Sequence, residues 1–327
     1  MRLLILGGTA FLSAAVAREA LSRGIDVSCL ARGTTAEPPV GARWIRADRD
    51  SGAEAYPAGD WDAVVEVSWQ PRQVRQALAA LAQRTGHWTY VSTCSVYADN
   101  DVPGADESAP LLAAEVGDGP VSAERYGEAK VACEQATLAA VGDRLQISRP
   151  GLIAGAGDGS DRFGYWPARF ARQPDERVLV PNDGRHTQVI GVHDLARWVV
   201  DAAANGTTGI FNAVGEPLPL PELLDRVQRV ADHRGDQVRV DHDWLVEQQV
   251  GYWSGPESLP LWLPSGYQGF GARSNAAAKQ AGLRLAPVDQ LIAETLDDER
   301  RRGLGRRRRA GLSPEREAEL LRLWDLR

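Results

Sequence analysis

A tyrosine and a lysine four residues apart, in the run Tyr126-Gly127-Glu128-Ala129-Lys130, are the pair in this chain best suited to moving a proton. Lysine is rare here, with two among 37 basic residues, Lys130 and Lys279, so a lysine at this position points to a need for a compact ammonium. The planar guanidinium fork cannot replace it geometrically. On a helix this spacing puts both side chains on one face. There the ammonium can lower the phenol pKa from about 10 toward a value useful in general acid–base catalysis. The competing reading is a tyrosine and a lysine that merely share a solvated helix face.

The N-terminus supplies a partner for that chemistry. Leu3-Leu4-Ile5-Leu6 reads as a buried parallel strand, Gly7-Gly8-Thr9-Ala10-Phe11-Leu12-Ser13 as a tight turn, and residues 14–23 as a helix. That order forms a dinucleotide cradle, in which Gly7 permits the turn and small residues at Ala10 and Ser13 let backbone approach a pyrophosphate at the helix N-terminus. Ala10 and Ser13 stand where the usual pattern has its second and third glycines. An ordinary strand-to-helix turn is the plainer alternative.

These residues need elements to position them, and the chain alternates strands and helices up to about residue 150. Strands are predicted at 26–30, 42–47, 61–67, 88–92 and 145–148, and helices at 72–84 and 123–141. The expectation is an α/β protein: a Rossmann-type doubly wound parallel sheet over residues 1–150, with a smaller C-terminal substrate-binding lobe over 151–327, some of which returns to the core. Ligands in such sheets lie beyond the carboxyl ends of the strands, where Gly7, Arg32, Val67, Thr93 and Gly151 should gather. The looser Pro-, Gly- and Trp-rich stretch 251–271 is expected to supply a substrate lid.

A net charge of −7 argues against nucleic acid as the main partner. The arginine-rich stretch 300–309 is broken by glycines and follows three acids, which suggests a solvated linker. Cys29, Cys94 and Cys133 lack metal or disulfide spacing, so no metal site is expected and a reducing cytoplasm suits them. No apolar run reaches membrane-spanning length and the first residues enter a strand directly, so neither a membrane anchor nor a signal peptide is expected. The expected partner is a small-molecule substrate.

At this point the motifs carry a resemblance. The segments Gly7 to Leu12, Ala47-Asp48-Arg49-Asp50, Val91 to Tyr97, Tyr126 to Lys130, Arg149 to Ile153 and Val189 to Ala196, in that order, make the chain similar to extended short-chain dehydrogenases/reductases. The closest likeness is to their atypical branch, the NAD-dependent epimerase/dehydratase family, which includes chloroplast stem-loop-binding proteins. The resemblance implies that Thr93 hydrogen-bonds the substrate oxygen, that Tyr126 gives or takes the proton on it, and that Lys130 holds the nicotinamide ribose while depressing the Tyr126 pKa. It also implies a cofactor site built from Gly7, Thr9, Ala10, Phe11, Leu12, Arg32, Asp48, Arg49, Val67, Ser68, Pro150, Gly151, Leu152 and Ile153. An acid at the end of the second strand would bond a ribose 2′-hydroxyl; Arg32 stands there instead and favours NADP(H) over NAD(H).

Substrate contacts are expected from Cys94, Ser95, Arg162, Tyr165, Trp166 and Gln188. Dehydratases of sugar nucleotides carry Asp-Glu after the threonine, so Cys94-Ser95 argues against dehydration. The acidic stretch 98–121 is the natural lid, and it disfavours an anionic substrate unless Arg162, Arg169 or Arg273 compensates. His193, at a helix start, reads as well as a capping or packing residue as a catalytic one. Ser313-Pro314-Glu315 opens a helix whose Leu320, Leu321 and Trp324 form a docking stripe. A homodimer through the helices at 72–84 and 123–141 is a further expectation. The functional expectation is an oxidoreductase acting on a carbonyl or alcohol. The alternatives are a nucleotide-sugar epimerase with retained NAD and a non-catalytic dinucleotide-binding or RNA-associated regulatory protein.

Overall fold

The computed structural model describes all 327 residues. Its strands are β1 Arg2–Leu6, β2 Asp26–Ala31, β3 Arg43–Arg46, β4 Trp61–Glu66, β5 Thr85–Val91, β6 Leu145–Ser148, β7 Leu152–Ala154, β8 Val178–Pro181, β9 His186–Thr187, β10 Val189–Gly191, β11 Gly209–Phe211, β12 Leu218–Pro219 and β13 Gln237–Val240, followed by the short pair β14 Gly251–Tyr252 and β15 Ser258–Leu259. Its helices are α1 Phe11–Ser22, α2 Pro71–Leu81, α3 Tyr126–Val141, α4 Arg162–Arg172, α5 Val192–Asn205, α6 Leu220–Val230, α7 His242–Glu247, α8 Ala276–Gln280, α9 Val288–Arg302 and α10 Pro314–Asp325.

A seven-stranded sheet in the order β11-β6-β5-β4-β1-β2-β3 forms the centre, with every pairing parallel. Its middle strands are apolar on both faces because helices cover both. On one side α1 and α5 pack against Leu3, Ile5, Val65 and Val91. On the other, α2 and α3 cover Leu4, Leu6, Val64, Trp88 and Tyr90. The strand order reverses between β1 and β4, which opens the crevice where doubly wound sheets bind ligands. The outermost strand, β11, comes from beyond residue 150.

A second core lies in the C-terminal half, where α4, α6, α9 and the β8–β13 pair enclose Phe163, Trp166, Leu224, Trp262 and Ile292. Helix α10 docks there as its stripe predicts: Leu320 is fully buried, and Trp324 meets Trp244 edge-on with centroids 5.0 Å apart. Ser313 caps α10 by accepting from the Arg316 N–H at 3.2 Å.

Candidate active site

The floor of the site is laid by the loop after β5 and the start of α3. Thr93 ends the strand and caps the turn at residues 94–96: its Oγ1 accepts from the Ser95 N–H at 3.1 Å and lies 3.2 Å from the Ser95 hydroxyl. Helix α3 approaches this turn backbone to backbone, since a Cβ at Gly127 would run into the Ser95 carbonyl oxygen and a Leu112 methyl. Glycine therefore sets how near Tyr126, the first residue of α3, comes to Thr93. The Trp69 ring meets the Tyr126 ring edge-on at 5.6 Å. Thr93, Ser95, Tyr126 and Lys130 all line one cavity of about 530 Å³.

The electrostatics depart from the expected arrangement in one respect. Burial raises the Tyr126 pKa, and the groups that pull it back are the Thr93 hydroxyl and the Arg162 guanidinium. Lys130 is not among them. Its side chain runs down to the strand ends, where Nζ donates to the carbonyls of Val91 at 2.6 Å and of Val67 and Ser68 at 3.2 Å. Three donors thus meet three acceptors. The ammonium also lies 4.8 Å from the centre of the Tyr90 ring. Burial lowers its pKa to about 8, opposed by Cys133, Glu66 and Glu134. The four-residue spacing does bring both side chains to one cavity, but their depths differ.

The turn expected to cradle a dinucleotide joins β1 to α1. Gly7 and Gly8 take positive φ, 134° and 95°, and a Cβ at Gly8 would strike the Cys29 sulfur. Ala10 gives α1 no side-chain cap, so the first N–H groups of the helix stay open toward the crevice, and Phe11 and Leu12 line the cavity. Ser13 is buried and donates its hydroxyl to the Ala10 carbonyl at 2.9 Å, so the serine satisfies itself inside the first turn. Val67, Pro150, Gly151 and Ile153 line the same cavity. The Ser92 hydroxyl, also on its wall, has no hydrogen-bond partner. The open N–H groups at the start of α1 are the feature that the pyrophosphate of a dinucleotide would satisfy.

Other expected cofactor residues are occupied elsewhere. The Arg49 guanidinium is buried, donating to Glu66 at 2.8 Å, to the Tyr56 hydroxyl at 3.2 Å and to the Gln73 carbonyl at 3.0 Å, which leaves only its backbone for a ligand. Ser68 is tied through its N–H to Glu66 and through its hydroxyl to Gln73. Leu152 turns its side chain into the second core. Arg32 and Asp48 stay exposed at the end of β2 and the turn after β3, 3.9 Å apart.

The roof comes from the C-terminal half. Arg162, Asp158, Gly159, Ser160, Trp253 and Phe270 close the cavity over Tyr126. The Arg162 guanidinium lies 5.3 Å from the Trp253 ring centre, and Phe270 meets Trp253 edge-on at 5.3 Å. Trp253 holds a φ of 63°, a strained value for a bulky residue. None of Ser92, Asp158, Ser160, Trp253 and Phe270 was singled out from the sequence. Ser92 lay inside a matching motif, and the two aromatics lay inside the stretch 251–271 read as a lid.

The remaining substrate expectations are corrected by packing. Tyr165 and Trp166 face the second core, with the Trp166 indole donating to the Pro260 carbonyl at 2.8 Å. Cys94 borders the cavity, but its thiol is directed at the Arg149 carbonyl at 3.3 Å and burial pushes its pKa up to about 12. Gln188 clamps Arg273 and Gly215 backbone groups. Arg169 pairs with buried Glu317, and Arg273 stacks 3.8 Å over the Tyr97 ring while bonding Asp99 and Asn100. His193 is exposed and lies outside this cavity. Residues 98–121 do not line it either: their backbone bonds run to Gly269, Ala272 and Glu128, fixing the segment beside the site. Its acidity therefore says little about substrate charge.

Nor is the stretch 300–309 a solvated linker. Asp161, next to Arg162 and itself at a φ of 61°, is buried and held by Arg302 at 3.2 Å, by Arg306 and by the Arg309 N–H at 2.8 Å. Buried Glu299 takes Arg302 at 3.0 Å, Arg306 at 2.9 Å and Arg308 at 2.7 Å. Sequence spacing could not show this, because the acid that draws the arginines in lies some 140 residues earlier.

No family model matches the sequence, and no curated protein matches it. Solved structures do. A provisionally named epimerase from Burkholderia cenocepacia J2315 superposes with a TM-score of 0.68 at 20% identity, covering 92% of this chain and 98% of that one. The UDP-glucuronic acid 4-epimerase from Bacillus cereus in complex with NAD gives 0.66 at 14%, covering 94% and 99%. The Thermus thermophilus UDP-glucose 4-epimerase complex with NAD gives 0.63 at 19%, covering 92% and 99%. The chain has the fold of these epimerases over nearly its whole length, as the resemblance implied. No helix is long and apolar enough to cross a membrane.

Proposed function

We propose that this protein is a nicotinamide-dinucleotide-dependent oxidoreductase that reduces a carbonyl, or oxidises the matching alcohol, on a small molecule. The observation that carries the reading is a single cavity lined by Thr93, Tyr126 and Lys130 together with Phe11 and Leu12 from the uncapped start of α1. A dinucleotide held by Gly7, Thr9, Ala10, Phe11, Leu12 and the Pro150–Ile153 backbone would supply the hydride to the carbonyl carbon, or take it in the reverse direction. Tyr126 gives its phenolic proton to the substrate oxygen. Thr93 orients that oxygen and, with Arg162, stabilises the phenolate left behind. Lys130 joins the strand ends beneath Tyr126, and it can donate to a ribose hydroxyl by giving up one of its two longer bonds, to Val67 or to Ser68.

For the cofactor, Arg32 supports NADP(H). Its 3.9 Å pairing with Asp48 is exposed and worth at most about 1 kcal/mol, which leaves it free to turn to a 2′-phosphate. The NAD complexes among the similar structures, and Asp48 itself, favour NAD(H). Titration of wild type and Arg32→Ala with NADPH and NADH, followed by nicotinamide fluorescence, decides. Tighter NADPH binding that is lost selectively in the variant is the expected result, and equal or better NADH binding would assign NAD(H) instead.

A second reading, a nucleotide-sugar epimerase, is favoured by the fold of those structures. An epimerase oxidises and re-reduces one carbon and keeps its cofactor, so it should copurify with nicotinamide that does not exchange. A chain that binds neither cofactor, and carries none through purification, would be non-catalytic.

A further inference from the structure

Arg162 is the cation of the cavity with nothing to pair with. Its Nε–H donates to the Ser160 hydroxyl at 3.2 Å, and neither terminal nitrogen has a hydrogen-bond partner. No carboxylate lies within ion-pair distance of it, although this chain pairs its arginines freely elsewhere. The nearest acid on the cavity wall, Asp158, is turned to Ser160, accepting from its N–H and its hydroxyl, each at 2.8 Å. Burial makes the Arg162 charge less favourable than usual, with Asp158 and the Tyr126 oxygen opposing that effect. These open donors face the cavity, where water satisfies them until a ligand of matching charge displaces it.

The surroundings narrow the ligand. Arg162 opens α4, an 11-residue helix whose capping position, Asp161, has its carboxylate bound by arginines and gives no side-chain cap. The first N–H groups of α4 therefore add positive potential beside the guanidinium. The Trp253 and Phe270 rings form the rest of the roof, flat and apolar. The other cation, Lys130, is sunk among three carbonyls.

Building on the oxidoreductase reading, we propose that the substrate is a carbonyl compound bearing one carboxylate and a flat apolar group, with Arg162 clamping the carboxylate and Trp253 and Phe270 packing on the apolar part. A planar guanidinium matches a carboxylate through paired hydrogen bonds. One free guanidinium opposite an acid suits a monoanion better than a diphosphate. In the reaction the carbonyl carbon gains a hydride, the carbonyl oxygen gains the Tyr126 proton, and the dinucleotide is oxidised; the carboxylate is unchanged.

The test is calorimetric binding of phenylglyoxylate and its methyl ester to wild type and Arg162→Met, with NADPH and NADH binding measured separately. We expect wild type to bind the acid at least tenfold more tightly than the ester, and Arg162→Met to erase the difference while holding the dinucleotide as before. Equal affinity for acid and ester in wild type, including no binding of either, overturns the proposal, as does a preference that survives in the variant. The wild-type comparison stands even if the variant folds poorly. Failure of wild type to bind either dinucleotide, with its acid preference present and erased in Arg162→Met, would instead count against the oxidoreductase reading and leave the carboxylate site standing.

Discussion

The floor of the cavity is supplied by the sheet and α3, whereas its roof is assembled from residues 158–162, 253 and 270, which no strand or helix joins to one another. Floor residues lie at the ends of buried parallel strands, so their positions follow from the packing of the sheet core. Roof residues depend on left-handed backbone at Asp161 and Trp253 and on ion pairs reaching from 299–309 back to Asp161. The difference separates two jobs. On the proposed reading, proton transfer belongs chiefly to the sheet half, with Arg162 adding a supporting charge to Tyr126, and recognition belongs to the part whose geometry is set by long-range charge pairing.

The sharpest way to break this division is Tyr126→Phe. It should lower kcat by about 10²- to 10⁴-fold with dinucleotide affinity unchanged. A loss below tenfold in steady-state kinetics would remove the floor from the chemistry. Next is Lys130→Met, which leaves the Val67, Ser68 and Val91 carbonyls without their donor and should cost about 1–3 kcal/mol of stability by denaturant titration, besides weakening dinucleotide binding. Gly127→Ala should cost a similar amount, about 1–3 kcal/mol, because α3 must retreat from the Ser95 carbonyl. It should lower kcat more than it raises KM, since Tyr126 moves with the helix.

Asp161→Asn probes the roof and should do the reverse, raising KM several-fold while kcat is nearly kept. A matched fall in both constants would show that floor and roof are not separable. The smallest effect is one of pH. Burial lowers Lys130 to about 8 from an ordinary 10.5, so between those values the unfolded chain binds the extra proton and this group's contribution to stability, followed by denaturant titration, should rise as pH rises from 8 to 10.5 and fall as pH falls. Dinucleotide affinity should move oppositely, falling above about pH 8 as the ammonium is lost, and Lys130→Met should flatten that limb.

The same contrast explains what could be read from the chain. The runs Leu3 to Leu6 and Ala63 to Val65 are apolar because both faces of their strands are covered, so the sheet and the crevice at Gly7, Val67 and Thr93 were visible in sequence. The structure places Thr93, Tyr126 and Lys130 along one wall. What spacing could not convey was depth: Lys130 is spent on strand carbonyls, and Arg49 on a glutamate 17 residues later. Tyr165 and Trp166 looked like pocket residues because, with Arg162, they follow the loop Gly155 to Gly159, but the helix turns them into the second core. The arginines of 300–309 looked solvated because Asp161 lies far back in the chain and because nothing in the sequence shows that the neighbouring Glu299 is buried.

The pairing of Arg302, Arg306 and Arg308 with Asp161 and Glu299 also bears on how the protein comes into being. During synthesis Thr93 and Tyr126 have emerged by residue 148, but α5, which covers one face of their sheet, follows only at 192–205. The charges that hold Arg162 in place arrive about 140 residues after it. A chain truncated before residue 299 would therefore keep the sheet and α5 that set Tyr126 while lacking the ion pairs that hold Asp161 beside Arg162.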